Sequence, residues 1–299
     1  METKQSRRTL IKNLALGASA LAITPVSALA SYKIPGNESE NELKLKGNIN
    51  HSVSRWTFDY LSLDELCKVV KEIGFNAIDL VGPKDWPTLQ KHGIYSSMCY
   101  TAGDNNLYNG LDNPKYHDQL IKEYLEVIPI MSKAGYKNLI CFSGKREGMD
   151  DQTGMKNCKT ALEKILPAAE KHGVTMVMEL LNSKIDHKDY MCNHTAWGVE
   201  LCKNINSESF KLLYDIYHMQ IQEGDVIRTI RDNHQYLAHF HTGGVPGRHE
   251  INETQELNYP AIMKAIVETG FKGYVAQEFM PTRKNKIDSL KEAIKICDV

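Results

Sequence analysis

Two periods organise most of this chain. Short apolar runs alternate with segments whose apolar residues recur every three to four positions, the spacing of one helix face. The first run, Asn48 to Ser54, precedes a helical stretch from Leu63 to Ile73. There Leu63, Leu66, Val69, Val70 and Ile73 share a face, and Gly74 stops the helix. Asn76 to Val81 reads as a strand, about Pro87 to Lys91 as a short helix ended by Gly93, and Tyr95 to Tyr100 as the third strand. The cycle continues with helix Lys115–Lys133, strand Asn138–Phe142, helix Met155–Lys171, strand Val174–Leu180 and helix Ala196–Lys203. Strand Phe210–Asp215, helix Val226–Asn233, strand Leu237–His241, helix Pro260–Glu268, strand Gly273–Glu278 and a last helix from about Lys286 to Ile296 complete it. Strands alternating with helices imply a parallel sheet covered by helices. Eight such units in about 250 residues is the count of a (β/α)8 barrel. The expected fold is therefore α/β, a single (β/α)8 TIM barrel over residues 47–299. A doubly wound open sheet is the competitor, but no G-x-G-x-x-G follows the first strand.

The first thirty residues break the pattern. Ser6-Arg7-Arg8-Thr9-Leu10-Ile11-Lys12 sets a twin arginine ahead of an apolar run, Leu14 to Ile23. That run is too short to cross a bilayer, which needs about 20 residues. Ala28-Leu29-Ala30 then has the small-x-small pattern that a signal peptidase reads. The segment resembles a twin-arginine (Tat) export signal, with Arg7 and Arg8 as the receptor-read address. Residues 1–30 are expected to be removed. Residues 31–46, polar and carrying Pro35-Gly36-Asn37, are expected to form a flexible tether. The mature chain is then periplasmic or otherwise exported, with no stable membrane anchor.

Composition and charge narrow the partners. Hydrophobic residues at 42% and charged residues at 24% are ordinary globular usage, which excludes wholesale disorder. Removing residues 1–30 takes Lys4, Arg7, Arg8 and Lys12 against Glu2 from 36 basic and 37 acidic residues, so the net charge moves from −1 to −4. No basic face for nucleic acid is indicated. Seven cysteines, an odd number without a C-x-x-C pair, point to neither a disulfide framework nor a zinc finger. Cys99 and Cys141 lie in strand-like runs, where a free thiol behaves as a small hydrophobe.

In a (β/α)8 barrel the chemistry sits at the C-terminal ends of the strands. Strand five ends in Glu179, strand six in Asp215, strand seven in His241 and strand eight in Glu278. Three carboxylates and an imidazole converging beside an apolar core are costly unless a cation holds them. One divalent ion is the economical explanation; mixed oxygen and nitrogen donors favour Mn²⁺, Mg²⁺ or Co²⁺, with Zn²⁺ compatible. His218 follows Asp215 by three residues and can enter the site from the same turn. His239, two residues before His241, lies deeper and reads as a supporting or packing residue. Arg248, in the loop after strand seven, can pair with a carboxylate or polarise a carbonyl. Trp56, Tyr100 and Tyr217 stand near the rim, where an aromatic can stack on a sugar or simply pack.

These residues carry a resemblance. The Glu–Asp–His–Glu pattern on four successive strands resembles the xylose-isomerase-like superfamily of sugar isomerases and epimerases. Within it, Glu179-Leu180-Leu181-Asn182, Asp215-Ile216-Tyr217-His218-Met219-Gln220, Arg248-His249-Glu250 with Asn258-Tyr259, and Gln277-Glu278-Phe279-Met280-Pro281 are similar to hydroxypyruvate isomerases. The resemblance covers about residues 48–297. It implies metal ligands at Glu179, Asp215, His241 and Glu278, substrate contacts at His218 and Arg248, and Glu179 and Glu278 as a glutamate pair flanking metal and substrate. Hydroxypyruvate isomerases often carry Gln at the third ligand position; His241 is what ketose 3-epimerases carry there.

The implied reaction is proton transfer beside a carbonyl on a small hydroxycarbonyl or sugar substrate, through an enediolate, with the two glutamates as acid and base. Hydroxypyruvate isomerisation is the nearest match. A ketose 3-epimerase, or a periplasmic isomerase or lyase acting on oxidised sugars, uses the same apparatus. A repair endonuclease shares the fold but needs a basic DNA face, which a net charge of −4 does not supply. A non-catalytic envelope sugar-binding protein leaves the two converging glutamates without a role.

Overall fold

A computed structural model describes residues 44–103 and 107–299. The expected export signal and residues 31–43 of the expected tether lie outside the described residues. Strands β1 (Asn50–Ser54), β2 (Ala77–Val81), β3 (Tyr95–Cys99), β4 (Asn138–Cys141), β5 (Thr175–Glu179), β6 (Phe210–Asp215), β7 (Leu237–Thr242) and β8 (Tyr274–Gln277) run parallel in chain order. They close into a barrel through pairing of β8 with β1. Around them stand α1 (Leu63–Ile73), α2 (Trp86–His92), α3 (His117–Lys133), α4 (Asp151–His172), α5 (Thr195–Ile205), α6 (Ile216–Gln222), α7 (Val226–Asn233), α8 (Tyr259–Glu268) and α9 (Lys286–Cys297). Among the described residues no helix is long and apolar enough to cross a membrane.

Local chemistry sets the helix ends. Ser62 and Glu65 form a reciprocal capping box at the start of α1, and Gly74 closes that helix at φ 110°, a conformation glycine adopts without strain. The buried stripe Leu66, Cys67, Val70 and Ile73 faces the barrel, each large apolar side chain contributing about 1.5–3 kcal/mol. Helix α4 begins at Asp151, four residues ahead of the expected Met155, because Asp150 accepts a hydrogen bond from the Thr153 amide at 2.7 Å. Helix α6 was not expected. It forms because Asp215, at the end of β6, accepts from the His218 amide at 3.1 Å and so caps it.

Below the rim the barrel is filled. Met98, Ile140, Val177 and Leu213 form a small buried cluster distinct from the main core. Val177 and Leu213 precede Glu179 and Asp215 by two residues, so each pair shares a strand face, with the apolar plug beneath the carboxylates. At the opposite end the segment leading into β1 meets the last residues of the chain. The Lys46 amide donates to the Asp298 carboxylate at 3.0 Å, and Asn48 Nδ2 donates to the Val299 carbonyl at 2.8 Å. All seven cysteines are free and buried, and burial raises their thiols, Cys67 to about 11 and Cys99 to about 12.

Candidate active site

Four strand ends bring the expected residues together. Glu179 ends β5, Asp215 ends β6, His241 lies in β7, and Glu278 immediately follows β8. All four are buried, with Asp215 and His241 at zero exposure. His241 Nδ1 is the hub, 2.6 Å from Glu278 Oε2, 3.1 Å from Glu179 Oε1 and 3.8 Å from Asp215 Oδ2. One ligand atom from each of the four lies within 4.8 Å of all the others. That spacing suits an ion about 2.1 Å from each donor, and three carboxylates with one imidazole are a donor set for a hard or borderline divalent cation.

Arg248 closes this cluster from the β7–α8 loop. Its Nη2 donates to Asp215 Oδ2 at 2.8 Å and to Glu278 Oε2, and its Nε donates to the Glu278 carbonyl at 3.0 Å. The residue sits at φ 59°, and its guanidinium packs over the Tyr217 ring. His218 is buried beside it. Arg248 Nη1 lies 2.6 Å from His218 Nε2, and Asn182 Nδ2 lies 2.6 Å from Nδ1.

The electrostatics follow from burial against charge. Burial opposes the charge on Asp215 and Glu278, yet Arg248 and the neighbouring histidines hold both carboxyls below the usual carboxylate range. Burial dominates at Glu179 and raises its pKa despite His241. Burial works against a charged His241, but Glu278, Asp215, Asp79 and Glu179 together push its pKa well above normal. Burial drives His218 the other way, well below normal.

Two contacts were not foreseen. The Trp56 indole N–H donates to Glu278 Oε1, and Ser54 Oγ donates to the same oxygen at 3.2 Å, so Trp56 orients a glutamate. Asp79 of β2 lies beneath the rim between His239 and His241, with Oδ1 3.0 Å from His239 Nε2 and Oδ2 2.8 Å from His241 Nε2. A lone acid in the run Ala-Ile-Asp-Leu-Val gave no signal beyond its polarity. His239, expected to be deeper and supporting, is found there. Tyr100 packs against Gly82 beside the small inner cluster.

The sequence profile of the xylose isomerase-like TIM barrel family matches residues 67–298. The chain belongs to this family. Among relatives, a 2-oxo-tetronate isomerase of Cupriavidus necator is 34% identical over 114 residues, 38% of this chain and 43% of that protein. A Drosophila melanogaster protein provisionally named hydroxypyruvate isomerase is 25% identical over 252 residues, 80% of this chain and 92% of that protein. The crystal structure of a family 2 AP endonuclease from Brucella melitensis superposes with a TM-score of 0.70 at 23% identity, covering 80% of this chain and 96% of that one, a likeness of fold alone. By family and relatives the chain is an isomerase.

Proposed function

We propose that this isomerase interconverts a short 2-oxo acid such as hydroxypyruvate with its hydroxycarbonyl isomer, with Glu179 and Glu278 as the proton-transferring pair. The observation that carries this reading is the approach of two glutamates, from β5 and from the end of β8, to the same His241 nitrogen at 3.1 and 2.6 Å. One carboxylate takes the proton from the hydroxyl-bearing carbon, the other glutamate delivers a proton to the former carbonyl carbon, and the hydroxyl proton passes to the former carbonyl oxygen. No net oxidation occurs, and no redox cofactor is needed.

Glu179, Asp215, His241 and Glu278 would hold one divalent ion; Mn²⁺, Mg²⁺ or Co²⁺ suits these donors, and Zn²⁺ is compatible. When bound, such an ion supplies positive charge beside the substrate's carbonyl and hydroxyl oxygens. Arg248 offers planar guanidinium donors that match a carboxylate. His218, kept neutral by burial, faces the same volume beside Arg248. The relatives named for hydroxypyruvate and 2-oxo-tetronate, both short 2-oxo acids, support that substrate class.

The test is turnover of hydroxypyruvate, 2-oxo-tetronate and a set of ketoses, after chelation and after each metal is added back. Glu278→Gln keeps size and removes the basic oxygen, so its turnover should fall by about 10²–10⁴, the range of general acid–base catalysis. Near-normal turnover by Glu278→Gln at full metal occupancy would remove the two-glutamate mechanism. Conversion of a ketose to its 3-epimer, with no 2-oxo acid consumed, would replace the substrate class and keep the pair.

A further inference from the structure

Beneath the rim, Asp79 lies in a strand that departs from regular geometry at that point. The pairing of β2 with β3 shifts register on both sides of Asp79, and the next residue, Leu80, sits at φ 56°. A left-handed leucine in a strand is strained and persists only where its surroundings over-determine it. Asp79 keeps its register with Ser54 of β1 across this irregularity, and its carboxylate is fully buried. Its contacts are specific. Asp79 Oδ1 accepts from Ser97 Oγ at 2.7 Å and lies 3.0 Å from His239 Nε2, while Oδ2 lies 2.8 Å from His241 Nε2. Ser97 is itself held by Ser52, with the two hydroxyl oxygens 2.5 Å apart.

An ionised carboxylate offers lone pairs and no proton. His241 must therefore present Nε2–H to Asp79. Its other nitrogen, Nδ1, is then the atom turned toward Glu179, Asp215 and Glu278, as the distances show. Turning the ring over would set a ring carbon against those three carboxylates and lose the hydrogen bond to Asp79.

We infer that Asp79 is a positioning residue for the rim: it fixes the His241 ring so that Nδ1 serves as the nitrogen donor to a divalent ion. The inference rests on the metal reading above. Hydrogen-bonding partners behind a metal-binding histidine typically change metal affinity by about 10- to 100-fold when removed, and Asp79 stands in that position here.

The test uses the full barrel and reads metal affinity, not turnover. Asp79→Asn preserves volume but puts an N–H where one of the two histidines needs an acceptor. Mn²⁺ titration calorimetry should show about 10- to 100-fold weaker binding in this variant, with the thermal midpoint of the metal-free protein changed by only a few degrees. An unchanged Mn²⁺ affinity in a folded Asp79→Asn protein would overturn the inference. So would two ions per wild-type chain falling to one in the variant, which would make Asp79 a ligand of a second ion. If Asp79→Asn does not fold, nitrogen-15 NMR of wild-type protein loaded with Zn²⁺ decides. A His241 ring protonated at Nε2 and metallated at Nδ1 supports the inference, and the opposite arrangement overturns it. A wild-type chain that binds no divalent ion defeats the metal reading itself, an outcome separate from these.

Discussion

Asp112 gives a pH dependence whose sign and size follow from the structure. It lies in the turn after β3, tied to the β4 loop by its own amide, which donates to the Ser143 carbonyl at 2.7 Å. Its side chain is fully buried, and among the described residues neither carboxylate oxygen has a hydrogen-bond partner. Gly144 leaves the room it occupies, since a Cβ there would stand 2.3 Å from Asp112 Oδ1. Burial, reinforced by Glu147 and Asp189 and opposed by Arg146, raises the carboxyl to about 8. In the unfolded chain an aspartate titrates near 3.9. Between those values the folded state keeps a proton that the unfolded state has released, so stability falls as pH rises. Each pH unit in that window costs about 1.4 kcal/mol, or about 4 kcal/mol from pH 5 to pH 8. Asp112→Asn has nearly the same shape and no titration. Its amide is pH-independent, so other titrating groups cancel when the two proteins are compared. Chemical denaturation of both between pH 5 and 8 should show the variant gaining on wild type steadily, by several kcal/mol at pH 8. In a scan this corresponds to about 2–4 °C per kcal/mol for a chain of this size. A stability difference independent of pH across the window would refute the reasoning.

Asp215→Ala should lower the divalent metal bound to purified protein, because Asp215 would supply one donor and anchors Arg248; elemental analysis showing equal metal in both proteins would exclude it as a ligand. We also propose that Arg7 and Arg8 direct export. Arg7→Lys with Arg8→Lys should leave the chain in the cytoplasm with residues 1–30 uncleaved, as fractionation and N-terminal sequencing would reveal, and normal export of that variant would remove the reading.

The parts that sequence periodicity makes legible are those with a repeating physical cause. Val177 with Glu179 and Leu213 with Asp215 show the reason: alternation in a strand puts an apolar plug and a polar rim on one face, and four successive strands repeat it. The closed barrel and the cluster of Glu179, Asp215, His241 and Glu278 follow from that repetition. What alternation cannot reveal is local exception. Asp79 reaches His241 from a point where the β2–β3 pairing slips register and Leu80 turns left-handed, a departure with no periodic trace. Helix α6 depends on one aspartate that both caps a helix and faces the site, and the sequence shows only the second use. Trp56 reads from sequence as a rim aromatic that can stack on a sugar or simply pack, whereas its indole N–H reaches Glu278, a contact set by the tight turn at Arg55–Phe58 that follows β1.

The seven sequestered thiols make the folded chain indifferent to oxidants that its unfolded form cannot escape. A solvent-borne disulfide or electrophile needs an exposed thiolate. The barrel buries every sulfur, and burial pushes the pKa of each thiol upward. Once unravelled, the same chain presents seven reactive groups, and any pairing among them leaves one over to join a second molecule. Oxidation then becomes a ratchet that traps whatever has opened and ignores whatever has not. A fast-reacting thiol dye added to the native protein would accordingly act as a clock, its labelling rate counting excursions out of the native basin. Folding this chain before it meets an oxidising solution is the condition for avoiding mispaired products altogether.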